Sequence, residues 1–238
     1  MYTTLLFDAD NTLLDFDKDE RQALIKVMNE YEVPVSEENI RTYSKINQGL
    51  WKQFEKGEIT KPELKKIRFG LFFDAIGFET QADVFEVNER YLSLLSGGGN
   101  LLQGAKELCE KLKEAEYDLY IVTNGVAKTQ AQRLSRSGIM PLFTEVFVSE
   151  TIGYQKPRKE FFDYVLKNVK EKDKNKILVI GDSLSSDIKG ALNSSLRCVW
   201  LNREGAPVPE DMKPDYVIEH ISQVERIVSD AQRMSVVV

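Results

Sequence analysis

The chain has 238 residues, of which 42% are hydrophobic and 29% are charged, and its formal net charge at pH 7 is −6. This composition is typical of a folded protein and excludes an intrinsically disordered chain. The basic residues are scattered, which argues against a surface that grips a nucleic-acid backbone. We therefore expect no nucleic-acid partner.

The sequence also predicts a cytoplasmic protein without a membrane partner. No apolar run approaches the roughly 20 residues that span a membrane, and no secretory leader precedes the first predicted strand. The two cysteines, Cys109 and Cys198, lie far apart in the sequence. Reduced, buried thiols explain that pattern better than a disulfide.

The first predicted element is a short buried strand over residues 3–8, an apolar run with the sequence TTLLFD. A helical sequence pattern follows over residues 17–96. Apolar side chains recur at three- and four-residue spacings, and Pro, Gly, Ser or Thr separate the segments. The predicted helices cover residues 20–31, 37–57, 60–77 and 82–96. We expect residues 17–96 to form an all-helical insertion that ends before a run of three glycines.

Strands and helices alternate after the glycines. The predicted strands cover residues 117–124, 145–150, 176–182, 197–202 and 215–218, and the predicted helices cover residues 105–115, 128–138, 159–171 and 186–194. Such repetition implies an α/β fold with a mostly parallel, doubly wound sheet and helices on both faces. Residues 1–16 and 97–238 are therefore predicted to form one core domain.

Polar residues follow the predicted strands, at the edge of the sheet where open α/β folds bind ligands. They are Asp8, Asp10, Thr123, Asn124, Gly125, Lys156, Asp182, Ser183 and Asp187. Taken singly, each has an ordinary interpretation as a helix cap, a turn residue or a solvated lysine. Their joint occurrence at successive strand ends favours a functional site.

The acidic residues of this set predict a metal. Asp8, Asp10, Asp182 and Asp187 would repel one another if they gathered without a cation. Oxygen ligands suit Mg²⁺, which takes a few carboxylates together with water and phosphate oxygens. A phosphate-bearing substrate is therefore expected.

The remaining residues fit phosphate chemistry. Lys156 adds a positive charge, while Thr123 and the backbone N–H groups of Asn124 and Gly125 can donate hydrogen bonds to phosphate oxygens. A carboxylate can attack phosphorus, and a leaving alkoxide needs a proton from a positioned acid. Residues two apart on an extended chain project to the same side, so the first two acids can face one substrate.

Four segments, FDADNTLL, IVTNG, QKPRKEFF and GDSLSSDI, resemble in order the four motifs of the haloacid dehalogenase superfamily of phosphohydrolases. The resemblance covers the whole chain and implies a Rossmann-like core with a helical cap between the first and second motifs. It implies that Asp8 is the nucleophile and a Mg²⁺ ligand. Asp10 would be the general acid and base, with its backbone carbonyl also reaching the metal.

The resemblance assigns the other residues as well. Thr123 and Asn124 would bind phosphate, Lys156 would hold the nucleophile and phosphate, Asp182 would ligate Mg²⁺, Asp187 would support it directly or through water, and Ser183 would orient that loop. Asn11 stands where the family commonly has glycine, and asparagine tolerates unusual backbone angles. The presence of Asp10 favours phosphoryl transfer over dehalogenation, because a halide leaves without a proton.

The insertion is predicted to close over the site as a lid that reads the substrate beyond its phosphate. Its stretch INQGLWKQFEKGEITKPELKKIRFGLFF resembles the YjjG-type pyrimidine 5'-nucleotidases, which implies substrates such as dUMP or dTMP. Trp51 or Phe69 could stack on a base, and Asn47 or Arg68 could bond its polar edge. For the two aromatic residues, packing inside the cap is the competing interpretation.

Three functions stay open at this point. The first is a Mg²⁺-dependent 5'-nucleotidase that forms an aspartyl-phosphate. The second is a related enzyme, either a phosphoglycolate or sugar-phosphate phosphatase or a phosphomutase. The third is an inactive protein that binds phosphorylated metabolites, and the intact pair Asp8 and Asp10 counts against it.

Overall fold

The structure is a computed structural model that describes residues 1–235, with the backbone alone for residues 232–235. The chain divides into two compact units. The larger contains residues 1–16 and the chain from Asn100 onward, and the smaller contains residues 17–99. The smaller unit ends three residues later than the predicted insertion, because Gly99 donates its backbone N–H to the Asp19 carboxylate of that unit at 2.9 Å.

The larger unit is organised by one parallel sheet. Its strands are β1 (Thr4–Phe7), β2 (Asp118–Thr123), β3 (Glu145–Val148), β4 (Ile177–Gly181), β5 (Arg197–Leu201) and β6 (Tyr216–Ile218). They are ordered β3-β2-β1-β4-β5-β6, which is the order of a doubly wound Rossmann fold. The chain moves outward from β1 to β3 and then crosses back to add β4 on the other side of β1. The crevice at this reversal is where such folds bind ligands.

The smaller unit is built from helices. They are α1 (Phe16–Glu30), which begins one residue before the unit, α2 (Glu37–Lys56), α3 (Lys61–Ile76) and α4 (Val84–Leu95). Ser36 and Thr60 accept hydrogen bonds at the N-termini of α2 and α3, and Gly57 and Gly77 end these helices in the left-handed conformation. Local sequence signals therefore fix both ends of the two long helices.

Helices of the larger unit follow the strands. They are α5 (Ala105–Glu114), α6 (Ala127–Ser137), α7 (Ser149–Ile152), α8 (Lys159–Asn168), α9 (Lys189–Asn193) and α10 (Val224–Ser235), with a π-helical turn over Leu184–Ile188. Successive strand residues face opposite sides of the sheet. Leu5 and Phe7 pack in the apolar layer that includes α5 and α10, whereas Leu6 packs in the layer that includes α8. The prediction of a doubly wound sheet is confirmed.

Several predicted boundaries are wrong. Residues 149–150, predicted as the end of a strand, begin α7 instead. The helix predicted over residues 159–171 ends at Asn168, and Lys172 donates to carbonyl groups of its last turn and of Val169. Helix α10 was not predicted, although it places Val224 and Val228 in the core.

Both cysteines are buried and unpaired. Across residues 1–235, no helix combines the length and the apolar character that crossing a membrane requires.

Candidate active site

Lys156 lies at the centre of a buried ionic cluster. Its Nζ atom donates to Oδ1 of Asp8 and to Oδ1 of Asp187, at 2.6 Å each, and to the carbonyl oxygen of Val122 at 2.8 Å. Lysine has three ammonium donors, so all three have an acceptor here. The ammonium group is therefore a fixed positive charge directly beside Asp8.

The burial of this cluster sets its protonation. Burial by itself would lower the pKa of Lys156, but the carboxylates of Asp187 and Asp8 together raise it. Desolvation raises the pKa of Asp8 to about 8, against the opposing charge of Lys156. The pKa of Asp182 is also raised well above its usual range, first by desolvation and then by its two acidic neighbours. One lysine does not compensate the negative charge assembled here.

The acidic residues of the cluster fit a divalent cation. Asp8, Asp182 and Asp187 each offer a carboxylate oxygen, and these oxygens lie within 4.8 Å of one another. An all-oxygen donor set with excess negative charge suits a hard ion. Asp187 already accepts from Lys156 through Oδ1 and from the Ser183 backbone N–H through Oδ2, at 3.1 Å. Both of its carboxylate oxygens are thus engaged, which suits a supporting position, and Asp8 and Asp182 are the candidates for direct contact with an ion.

The turn after β1 brings Asp8 and Asp10 to this edge of the sheet. Asn11 has a φ of 57°, in the left-handed region that asparagine tolerates better than most residues. Thr12 then donates its hydroxyl to Oδ1 of Asp182 at 3.4 Å, and Trp200 donates its indole N–H to the Asp182 carbonyl at 2.8 Å. The loops after β1 and β4 are thus fastened to each other and to β5.

Thr123 ends β2 with its hydroxyl oriented by two donors. Its Oγ1 atom accepts from the backbone N–H of Gly125 at 3.0 Å and from Nε2 of Gln130 at 2.9 Å. A hydroxyl oxygen has two acceptor lone pairs and one proton. With both lone pairs engaged, Thr123 has its proton to donate, which is the role needed toward a phosphate oxygen. The backbone N–H of Gly125 therefore helps to orient the Thr123 hydroxyl.

The side chain of Asn124 binds protein backbone. Its Nδ2 atom donates to the Lys156 carbonyl and its Oδ1 atom accepts from the Lys156 N–H, both at 2.9 Å. Phosphate binding by the Asn124 side chain stays a prediction. The observed bonds fasten the lysine loop to the end of β2.

Sequence reasoning missed Gln130 and Arg133, which contact the carboxylate of Asp10. Gln130 donates from Nε2 to Oδ2 of Asp10 at 2.7 Å, and Arg133 donates from Nη1 to Oδ1. Both lie on α6, which begins four residues after the end of β2. Their three-residue spacing places them on one helix face, and that spacing near a strand end is the signal that could have identified them.

Comparison with known proteins shows the family of the chain. Residues 2–194 match the family of haloacid dehalogenase-like hydrolases. The chain belongs to this hydrolase family.

Three relatives of the hydrolase are similar over almost their whole length. The HAD-hydrolase YfnB of Bacillus subtilis is 39% identical over 96% of both chains. Its magnesium-bound crystal structure matches with a TM-score of 0.89, covering 95% of this chain and 98% of that one. The pyrimidine 5'-nucleotidase PynA of Streptococcus pneumoniae is 37% identical over 91% of both chains, and the pyrimidine 5'-nucleotidase YjjG of Escherichia coli is 30% identical over 94% of this chain and 96% of its own.

Three of the four residues that the sequence predicted as substrate contacts in the hydrolase's cap are buried within the smaller unit. Asn47 donates to Oε1 of the buried Glu20 at 2.6 Å, and Arg68 donates to Oδ1 of Asn47 at 3.0 Å. Phe69 packs against Tyr43 with ring centres 5.3 Å apart. These contacts join helices of one unit.

Trp51 differs from the other three in remaining partly exposed. Its ring packs edge-on against Phe54 at 5.7 Å. Substrate contact by the four cap residues stays a prediction, and Trp51 is the one whose exposure favours it.

Proposed function

We propose that the protein is a Mg²⁺-dependent phosphatase that hydrolyses (deoxy)pyrimidine 5'-monophosphates through an aspartyl-phosphate. The observation that carries this proposal is the contact of Lys156 with Asp8 inside a cluster of three carboxylates. The names of two relatives, both pyrimidine 5'-nucleotidases, support the choice of substrate.

The metal proposal rests on the donor set. Asp8 and Asp182 would hold Mg²⁺ together with the backbone carbonyl of Asp10, and Asp187 would support them. When bound, the ion neutralises charge on the phosphoryl group. The magnesium in the YfnB structure supports this choice of ion.

In the first step, a carboxylate oxygen of Asp8 attacks phosphorus. A new P–O bond forms while the ester P–O bond breaks, and the leaving oxygen takes the bonding electron pair and a proton from Asp10. Lys156 holds the attacking carboxylate, and the hydroxyl of Thr123 donates to a phosphoryl oxygen. The products of this step are an alcohol and an aspartyl-phosphate.

In the second step, water attacks the phosphorus of the aspartyl-phosphate and gives a proton to Asp10. The P–O bond to Asp8 breaks, which restores its carboxylate and releases inorganic phosphate. The net reaction consumes one ester and one water and returns both acids to their starting state.

The test is release of inorganic phosphate from a panel of monophosphates. The panel contains dUMP, dTMP, AMP, phosphoglycolate and glucose 6-phosphate, each with Mg²⁺ and with EDTA. We expect kcat/KM to be highest for the pyrimidine nucleotides and release to disappear in EDTA. Preference for phosphoglycolate or the sugar phosphate would overturn the substrate, and no release from any compound would overturn the phosphatase.

A phosphomutase would give a different result on the same panel. It would convert a sugar phosphate into an isomeric phosphate without releasing inorganic phosphate, which phosphorus NMR distinguishes from hydrolysis.

A further inference from the structure

The carboxylate of Asp10 is held at both oxygens by two side chains of α6. Gln130 bonds Oδ2 at 2.7 Å, and Arg133 bonds Oδ1. We propose that Gln130 and Arg133 are positioning residues that orient Asp10 for proton transfer to the leaving group, an inference that rests on the proposed function. Neither residue is assigned a contact with the substrate; both act through Asp10.

Arg133 fixes which way the Gln130 amide faces. A guanidinium group carries donors only, so the Gln130 atom that Arg133 contacts at 3.1 Å must be the carbonyl oxygen Oε1. The amide nitrogen Nε2 is therefore turned to the other side. There it bonds Asp10 and the hydroxyl of Thr123. One amide group thus connects the proton-transfer residue to the phosphate-binding residue.

The position of Arg133 is itself well defined. Its side chain is 1% exposed, and its guanidinium group lies over the ring of Phe16 at 5.4 Å. Cation–π contact and burial both restrict its rotamers. The Asp10 side chain, by contrast, is 28% exposed. A buried, fixed donor therefore holds a carboxylate that is open to solvent on another side.

Proton transfer needs this restraint. Rotation about χ2 of an aspartate is broad, so an unrestrained carboxyl group samples many orientations. Bonds to two different donors fix the plane of the Asp10 carboxyl group. Misplacement of a reacting group by about 1 Å can cost on the order of 10²-fold in rate. Loss of either donor should therefore slow the step in which Asp10 moves a proton.

The experiment compares two leaving groups in wild type, Gln130→Ala and Arg133→Lys. The alkoxide of dUMP needs a proton, whereas p-nitrophenolate leaves as a stable anion. The parameter kcat/KM reports the steps through departure of the leaving group when that departure is irreversible. We expect it to fall about 10–100-fold for dUMP in both variants, as for misplaced reacting groups. For p-nitrophenyl phosphate it should fall by less than about threefold in Arg133→Lys, because Asp10 is not needed as the acid there. In Gln130→Ala the loss with p-nitrophenyl phosphate should be larger than in Arg133→Lys but smaller than with dUMP, because the Thr123 hydroxyl also loses a donor.

Two controls separate positioning from damage to the fold. Gln132→Ala and Arg136→Lys change exposed residues of the same helix and should leave both kcat/KM values unchanged. Asp10→Asn should show the same selective loss with dUMP. The double variant Asp10→Asn/Arg133→Lys should lose no more than Asp10→Asn alone, because residues that act through one group are not additive. Lysine keeps the buried charge of Arg133, and thermal unfolding checks each variant.

The outcomes distinguish the inference from the function it rests on. Equal losses with both substrates in folded variants, or additive losses in the double variant, would overturn the positioning role while wild-type hydrolysis still supported the proposed function. A wild-type protein that releases no phosphate from any alkyl monophosphate in Mg²⁺ would overturn the proposed function itself.

Discussion

A Cβ atom on Gly181 would lie 2.3 Å from the carboxyl carbon of Asp187. The last residue of β4 must therefore lack a side chain for Asp187 to reach Lys156. We expect Gly181→Ala to displace the Asp187 carboxylate, to lower phosphatase activity about 10–100-fold by misplacing the cluster, and to lower the free energy of unfolding by about 1–3 kcal/mol through overpacking. Phosphate release and urea denaturation measure the two effects.

Gly70→Ala is the matched control for Gly181→Ala. Gly70 lies in the interior of α3, and a Cβ atom there would meet no atom within 4 Å. Alanine should leave activity unchanged and raise the free energy of unfolding by about 0.5–1 kcal/mol, as for other glycines inside helices. Wild-type activity in Gly181→Ala would contradict the steric argument.

The second prediction concerns Asp8→Asn. The amide cannot form the acyl phosphate, so we expect phosphate release to fall to background. The fold should persist, because asparagine retains a side-chain oxygen that accepts from Lys156. Asp163→Asn, which alters an exposed aspartate paired with Lys159, should keep full activity. Turnover by the Asp8→Asn protein would remove the nucleophile assignment.

The third prediction is a pH dependence of the metal-free protein. The pKa of Asp8 is raised to about 8 in the folded state, above its ordinary value of 3.8. Between these values the folded chain binds more protons than the unfolded chain, so stability falls as pH rises and levels off above pH 8. We expect thermal unfolding in EDTA to show a smaller decrease from pH 5 to pH 8 in Asp8→Asn than in wild type. The same slope in both proteins would contradict a raised pKa for Asp8.

The fourth prediction concerns Mg²⁺ as a ligand of the folded state. Mg²⁺ at 100 times its dissociation constant should stabilise the protein by about 2.7 kcal/mol, if the unfolded chain does not bind it. EDTA should reverse the shift in melting temperature. Asp182→Asn should reduce it at the same Mg²⁺ concentration, whereas Asp163→Asn should not. An undiminished shift in Asp182→Asn would place the ion elsewhere.

The fifth prediction separates two kinds of cap residue. Asn47→Ala leaves polar atoms of Glu20 and Arg68 without a partner, so the free energy of unfolding should fall by about 1–3 kcal/mol. Trp51→Ala should instead raise KM for dUMP about 5–10-fold, at the lower end of base stacking energies of about 1–3 kcal/mol. Michaelis–Menten kinetics and urea denaturation provide the comparison.

Phe85→Ala is the control for Trp51→Ala. Phe85 is an exposed aromatic residue of the same unit. Its loss should change neither KM for dUMP nor the free energy of unfolding. An unchanged KM in Trp51→Ala would assign Trp51 to packing alone.

Much of the core was predictable, because its signals are local. Alternating strands and helices indicate the fold class, and the rule about strand ends selects Asp8, Thr123 and Asp182 from the sequence alone. Gln130 was not found, because a helical residue can face the core or solvent. Only the packing of α6 against the sheet decides which of its residues face the site and which face solvent.

The cap shows the opposite difficulty. The sequence did not show that Asn47 and Arg68 bond other residues of the cap, because polar residues on helices give no sign of where their partners lie. Their observed partners are 27 and 21 residues away in the sequence, on helices whose pairing the pattern does not specify. Non-local pairing therefore set the limit of prediction in this unit.

The pair of hydrogen bonds between Asn124 and Lys156 has a consequence for the position of the lysine side chain. A carboxamide carries the same donor and acceptor groups as a peptide. The Asn124 side chain therefore forms, just after β2, a pair of hydrogen bonds like those between backbone groups. These two hydrogen bonds hold the backbone of Lys156 beside the end of β2. Both ends of Lys156 are therefore held at the end of β2, since its backbone bonds Asn124 and its ammonium group bonds the Val122 carbonyl.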